Sequence, residues 1–159
     1  MRSTTDWNLE ILCMKKKMLC PIVIVIAFLI CCIVYFKPLS LSDVAEADNQ
    51  MKMIYSQIGV ENGEAYIDSV DYQDITIEQK STILALLDKY TYRRTIGTLF
   101  SNGSTSDLGD KTLSVYVYDD VSLINSVFAT SSGKIVINEK VYNMENAEQF
   151  IEQIIEIMS

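Results

Sequence analysis

Apolar residues form one unbroken segment near the start of the chain. Between Met18 and Phe36 every residue except Pro21 is apolar, and no charged residue interrupts the segment. As a helix rising about 1.5 Å per residue it would span roughly 28 Å, close to the ~30 Å hydrocarbon thickness of a bilayer. A core helix of a small domain would show one polar face, and this segment shows none. The pattern therefore predicts a transmembrane helix over residues 18–36.

Lysines flank this segment unequally. Three of them, at positions 15–17, precede it, and only Lys37 follows it closely. Because an excess of Lys and Arg marks the cytoplasmic side of a span, we expect residues 1–17 in the cytoplasm and the C-terminal part outside it. Met14 followed by lysines and an apolar segment also resembles a bacterial translation start, which leaves Met1 and Met14 as alternative first residues.

A cleaved signal peptide is the alternative interpretation of the same segment, since lysines before an apolar stretch also open a signal sequence. The apolar part of a signal usually has about 7–15 residues, and this one is longer. The best small-residue cleavage site, Ala45-Glu46-Ala47, lies well beyond the segment. The anchor is therefore favoured, with a secreted protein as the alternative.

The polar and apolar pattern changes after the predicted span. Residues 37–50 are mostly polar and are predicted to be a tether, followed by an extracytoplasmic domain over residues 51–159. Apolar residues then alternate with polar ones, which predicts a strand from Gln50. A helix from Asp43 is the competing interpretation, because apolar residues also recur there at heptad-like spacing.

Further strands are indicated by alternating or β-branched residues and by turn residues between them. Asn62-Gly63 is typical of a two-residue hairpin turn, and Ser131-Ser132-Gly133 indicates a second hairpin. The predicted strands are Glu64–Val70, Arg93–Phe100, Leu113–Tyr118, Ser122–Ala129 and Lys134–Tyr142.

Two amphipathic helices complete the pattern. The first covers residues 77–90, with Thr76 and Gln79 spaced as a capping box, and the second covers about residues 147–158 after Asn146 as N-cap. Both have an apolar stripe that must be buried, and the strands offer an apolar face. The economical arrangement is an α+β domain, an antiparallel sheet with both helices packed on one face.

The layout supports a resemblance. Lysines before an apolar span, a short tether, and strand–turn–strand–helix–strands–helix, with ITIEQKSTILALLDKY before the later strands, resemble the small single-pass, membrane-anchored extracytoplasmic proteins of Gram-positive bacteria. The similarity covers the whole chain in layout and rests on no diagnostic motif. Members of this kind lack known activities, so the resemblance implies a location rather than a function.

Charge divides at the predicted span. The chain has 13 Lys and Arg against 21 Asp and Glu. After residue 37 there are eight bases and 19 acids, a formal charge of −11. An acidic domain does not bind nucleic acid by neutralising phosphates, and anionic lipid head groups repel it. We expect contact with the membrane only through residues 18–36, and no nucleic-acid partner.

Several kinds of chemistry are excluded by the residue types. The chain has no histidine, and its four cysteines all lie in or before the apolar segment. The outer domain therefore lacks histidine acid–base catalysis, thiol chemistry and His or Cys metal ligands. A Gly-rich phosphate loop is also missing. We expect no catalytic residues, no cofactor and no metal, and therefore no enzyme.

Carboxylates allow two weaker alternatives. A carboxylate-dependent hydrolase could use the acidic cluster Asp68, Asp71 and Asp74, or the pair Asp119-Asp120. Solvated acidic turns are the favoured interpretation of these residues. The loop from Asn102 to Asp110 is rich in oxygen ligands for calcium, but it lacks the distal glutamate of an EF-hand.

A binding surface is the better use of the remaining residues. Tyr116 and Tyr118 would form an aromatic strip on the sheet if they face away from the helices, and tyrosine is favoured at interfaces. Arg93 and Arg94 form the only basic doublet of the outer domain and could receive a carboxylate or phosphate, although cross-strand pairing with Asp or Glu is the favoured interpretation. The sequence therefore predicts a non-enzymatic anchored domain that binds a protein or peptide partner near the membrane. The alternative is a pocket between sheet and helices for a small ligand or cell-wall fragment.

Overall fold

The computed structural model describes residues 21–104 and 110–159. The chain divides into two compact units, the first ending at Lys37 and the second covering Pro38–Ser159. In the first unit residues 21–35 form a helix, α1, whose apolar side chains are largely exposed. Within the described residues no helix has the length and apolarity that crossing a membrane requires. The predicted cytoplasmic segment 1–17 and residues 18–20 of the predicted span lie outside the described residues.

The second unit is built on one eight-stranded sheet. All seven pairings between neighbouring strands are antiparallel, in the order β1-β4-β8-β7-β6-β5-β2-β3. The strands are β1 (Leu39–Ser40), β2 (Gln50–Glu61), β3 (Glu64–Tyr72), β4 (Thr91–Arg93), β5 (Lys111–Asp119), β6 (Ser122–Thr130), β7 (Lys134–Ile137) and β8 (Lys140–Met144).

Two helices, α2 (Ile77–Leu87) and α3 (Ala147–Met158), supply buried residues to the same core as the sheet. Phe150, Ile151 and Ile154 of α3 are fully buried, together with Ile83 of α2. These side chains share one cluster with alternating strand residues such as Leu113, as expected when a helix stripe packs on a sheet face. The predicted α+β fold with an antiparallel sheet is confirmed.

Local capping agrees with the sequence at α2 and differs at α3. Thr76 accepts a hydrogen bond from the backbone N–H of Gln79, and the Gln79 side chain accepts one from the backbone N–H of Thr76. This is the predicted capping box. Asn146 precedes α3 but adopts a left-handed conformation and makes no side-chain cap.

Residues 37–50, predicted to be a tether, contain ordered elements of the domain. β1 pairs with β4, and a 3-10 helix follows at Leu41–Val44. Leu41 is fully buried, and Val44 and Ala45 are nearly so. The strand predicted from Gln50 is confirmed, and no helix from Asp43 forms beyond this single 3-10 turn.

Two predicted strands have different bounds in the structure. The predicted strand Arg93–Phe100 is wrong after Arg93, where the chain forms a 3-10 turn at Gly97–Leu99. Hydroxyl groups favour this turn, because the side chains of Thr95 and Thr98 each accept a hydrogen bond from the other residue's backbone N–H. The predicted strand Lys134–Tyr142 is divided into β7 and β8 by a turn.

Candidate binding surfaces

The two faces of β5 differ sharply in burial. Leu113, Val115 and Val117 point into the core and are buried. Because side chains alternate along a strand, Tyr116 and Tyr118 lie on the face opposite α2 and α3, which we call the outer face. Both tyrosines, which we call the tyrosine strip, are half-buried. The outward orientation that the partner-binding prediction requires is therefore present.

A lysine accompanies the tyrosine strip. Lys52 of β2 is the register partner of Tyr116, and its Nζ atom lies 5.7 Å from the centre of the Tyr118 ring. This distance is within the range of a cation–π interaction. A register shift between Val117 and Tyr118 marks a β-bulge against β6, and bulges re-aim nearby side chains. The strip thus combines aromatic surface with a positive charge.

Apolar side chains continue the outer face away from the tyrosine strip. Phe128 is the register partner of both Ser114 and Val136, so these residues form one row across β5, β6 and β7. Phe128 is half-buried and Val136 is only 8% exposed. The 3-10 turn after β4 borders this part of the sheet, where Thr98 donates a hydrogen bond to the Val141 carbonyl over 2.6 Å.

Cations occupy the far corner of the same face. Tyr92 and Met144 are buried register partners, so the adjacent pair, Arg93 of β4 and Asn143 of β8, points to the outer face. Asn143 is also the register partner of Lys134 on β7. We call Arg93, Asn143 and Lys134 the cationic row.

A surface pocket of about 400 Å³ opens at the cationic row. Its lining includes Arg94 and one carboxylate, that of Glu145. The Arg93 guanidinium lies 3.8 Å from the Glu145 carboxylate, and both side chains are more than half exposed. Lys134 Nζ donates a hydrogen bond of 3.0 Å to Asn143 Oδ1.

Of the predicted partner-binding residues, Tyr116, Tyr118 and Arg93 therefore share one side of the sheet, but they do not form one cluster. Strands β8, β7 and β6 separate β4, which carries Arg93, from β5, which carries the tyrosine strip. Four strand spacings of about 4.8 Å place them roughly 19 Å apart across the sheet. The structure gives two separate patches, and the half-buried Phe128 of β6 lies between them.

Lys134, Asn143 and Lys52 belong to these patches and were not predicted as site residues. Their side chains alternate outward on their strands, a signal present in the sequence. What the sequence does not give is which strands are neighbours. The cationic row needs the order β4-β8-β7, and the stacking of Lys52 on Tyr118 needs the pairing of β2 with β5.

Tyr92 of β4 and Asp110, which precedes β5, both have shifted pKa values. Burial raises the pKa of Tyr92, with further increases from Tyr142 and Asp43 that Arg94 partly opposes. A hydrogen bond from the Ser131 hydroxyl is the main cause of the lowered pKa of Asp110. At neutral pH the Tyr92 phenol is therefore protonated and the Asp110 carboxyl is ionised.

The carboxylates proposed for hydrolysis are only partly brought together. Asp71 and Asp74 line one open surface pocket, whose lining does not include Asp68. Within residues 21–104 and 110–159, no group of three or more His, Cys, Asp or Glu is placed to hold a metal ion. In the calcium-candidate loop, Asn102 Oδ1 accepts hydrogen bonds from Ser104.

Known proteins offer no further guide. The chain matches no protein-family model, no curated protein and no solved structure.

Proposed function

We propose that this chain is a membrane-anchored, non-enzymatic extracytoplasmic domain that binds a protein or peptide partner near the membrane through its outer face. The observation that carries the proposal is the half-buried tyrosine strip on the sheet face opposite α2 and α3. Tyr116 and Tyr118 lie near Lys52 and the half-buried Phe128, so one surface offers aromatic, apolar and cationic contacts.

The chemistry of the strip suits a protein interface. Tyrosine presents a large, fairly rigid ring with a polar end, and it is enriched at interfaces for that reason. Cations beside aromatic rings add attraction for carboxylates of a partner, which improves the rate and specificity of association. Arg93 provides a second cationic patch on the same side of the sheet, at a pocket whose lining includes Arg94.

The anchor is supported by the N-terminal unit. The large apolar side chains of α1 between Ile22 and Val34 are more than half exposed, which is unfavourable in water and favourable in a bilayer. The unequal lysines around the predicted span support a cytoplasmic N-terminus.

The secreted alternative conflicts with the packing of the domain. Cleavage after Ala47 would remove β1, the 3-10 turn with the buried residues Leu41 and Val44, and the buried Ala45 that follows it. Losing a fully buried leucine side chain alone costs about 2–5 kcal/mol in typical cores. A chain that keeps these residues, as an uncleaved anchored protein does, keeps an intact core.

Replacement of both strip tyrosines tests the proposal. The full-length double variant Tyr116→Ser/Tyr118→Ser should lose capture of the partner from native membranes at least tenfold, because buried aromatic anchors carry most of an interface's binding energy. The measurement is quantitative recovery of one partner band after cross-linking.

Tyr66→Ser is the matched control. Tyr66 is 51% exposed on β3, away from the tyrosine strip, and its replacement should leave capture unchanged. Thermal melting of both variants checks that the fold is kept. Equal capture by the wild type and a folded double variant would refute the proposed surface.

A further inference from the structure

Three outward side chains from three adjacent strands converge at the corner of the outer face. Arg93 and Asn143 are register partners between β4 and β8, and Asn143 and Lys134 are register partners between β8 and β7. Direct cross-strand neighbours have Cβ atoms about 4.5–5.5 Å apart, so two cations flank one amide within roughly 10 Å. Such a spacing lets all three polar groups reach a single small group between them.

The amide in the middle is already oriented. Lys134 Nζ donates to Asn143 Oδ1 over 3.0 Å, so the amide oxygen is directed at a cation. Because the Oδ1 atom is an acceptor and the Nδ2 group carries two N–H donors, this contact points the donors elsewhere. The row therefore presents ammonium, amide and guanidinium groups, each of which donates hydrogen bonds.

The nearby carboxylate holds Arg93 weakly. The distance of 3.8 Å between Arg93 and Glu145 Oε1 is long for a charge-assisted hydrogen bond, which is usually about 2.7–2.9 Å. The two side chains are 56% and 78% exposed, and exposed pairs of this kind contribute little to stability. An incoming anion can take the guanidinium from Glu145 at little cost.

Charge makes this corner exceptional in the domain. After residue 37 there are eight Lys and Arg against 19 Asp and Glu, and three of the eight, Arg93, Arg94 and Lys134, line this pocket. Its volume of about 400 Å³ is within the range of roughly 300–1,000 Å³ found for ligand pockets. A cationic pocket on an acidic molecule concentrates anions locally while the rest of the surface repels them.

We infer that the cationic row is a binding site for an oxyanion, a carboxylate or phosphate group carried by a ligand or by the partner. Arg93 supplies a planar fork that fits two oxygens, Lys134 supplies a point charge, and Asn143 supplies the amide donors between them. The site itself does not depend on the proposed function; only the idea that a bound partner supplies the anion rests on it. Binding of a small anion can be measured without any partner, so the two proposals can fail separately.

The test uses the full-length chain in zwitterionic nanodiscs. Sodium phosphate and sodium acetate are titrated separately at constant ionic strength, and the side-chain amide signals of Asn143 are followed by NMR. We expect a saturable shift with at least one anion. Arg93→Gln and Lys134→Gln should each weaken the apparent affinity at least tenfold.

Lys89→Gln is the matched control, because Lys89 is an exposed lysine outside the row. It removes one positive charge and should leave the affinity within twofold. Tighter binding of phosphate would identify a phosphate site, and tighter binding of acetate a carboxylate site. A linear response to both anions, or equal weakening in all three variants, would overturn the inference.

Discussion

Lys111 shows how one side chain connects the sheet to a helix. Its Nζ atom lies 2.9 Å from Glu148 Oε1 and 2.7 Å from Glu152 Oε1, two residues one turn apart on α3. Hydrogen bonds from Lys111 to Glu152 and then Glu148 raise its pKa well above the ordinary lysine range. The lysine side chain is only 19% exposed, although both glutamates are more than half exposed.

Replacing this lysine should lower stability in a pH-dependent way. Lys111→Met keeps most of the aliphatic stem, and we expect it to lower the free energy of unfolding by about 1 kcal/mol at pH 7, since exposed pairs contribute about 0.2–1 kcal/mol each. Because the folded pKa is raised, the contribution is fully present below the unfolded lysine value of about 10.4 and is lost as the pH rises through the folded value.

Urea unfolding of wild type and variant from pH 7 to 11.5 measures this difference. The two stabilities should differ by a constant amount up to about pH 10 and converge only above it. The same difference should shrink at about 1 M salt, because both glutamate partners of Lys111 are more than half exposed. A difference that vanished near neutral pH would contradict the assignment.

At the residue scale, strand alternation could be predicted from the sequence. It places Tyr116 and Tyr118 on the side of β5 opposite Val117, but which side faces the helices could not be predicted from the sequence and is given by the buried position of Val117. The cationic row could not be predicted from the sequence, because Lys134 and Arg93 are about 40 positions apart in the chain. Their meeting depends on β8 inserting between β7 and β4, which no local pattern specifies.

Two hairpin turns of the sheet differ in how well their sequences predict them. Asn62 and Gly63 both have positive φ, as a type I′ turn requires, and their Asn-Gly sequence predicted it. Asn138 and Glu139 also both have positive φ, at 46° and 66°, and this turn was missed. Glutamate is rarely left-handed, so the pair carries no turn signal.

Side-chain hydrogen bonds explain why the second turn forms. Asn138 Oδ1 accepts from the backbone N–H of Ser126, and its Nδ2 donates to Asn125 Oδ1. These bonds to β6 hold Asn138 in place, and the chain must then reverse through Glu139. The strain at Glu139 is offset by pairing of β7 with β8.

Glycine at this position should relieve that strain. Glu139→Gly is expected to raise the free energy of unfolding by about 0.5–1 kcal/mol, because the left-handed conformation is costly for a residue with a Cβ atom. Glu156→Gly is the control in regular helix α3 and should lower stability by up to about 1 kcal/mol. Destabilisation by both variants in urea unfolding would show that Glu139 is not strained.

At the scale of the whole molecule, the sequence predicted the fold class from two amphipathic helices and alternating strands. It did not predict the edge of the sheet where β1 pairs with β4. β1 has two residues and lies in a segment of mostly polar composition, so no alternation of apolar and polar residues indicates a strand there. Its position is fixed by Leu41, which follows it into the core.

The distribution of charge over the domain affects which partners can approach it. The acidic domain repels anions over most of its surface, whereas the tyrosine strip with Lys52 and the cationic row present positive groups on one face. A partner with acidic and apolar residues would thus be directed to the outer face.

Site-specific photo-cross-linking in native membranes tests this account most directly. A diazirine-bearing amino acid replaces Ser126, the register partner of Tyr116 on the outer face, or Ser81, an exposed control position on α2. We predict one stoichiometric adduct of the full-length, uncleaved chain from position 126, absent from position 81 and lost in the Tyr116→Ser/Tyr118→Ser background. The absence of an adduct at position 126, or an adduct that survives loss of both tyrosines, would contradict the account.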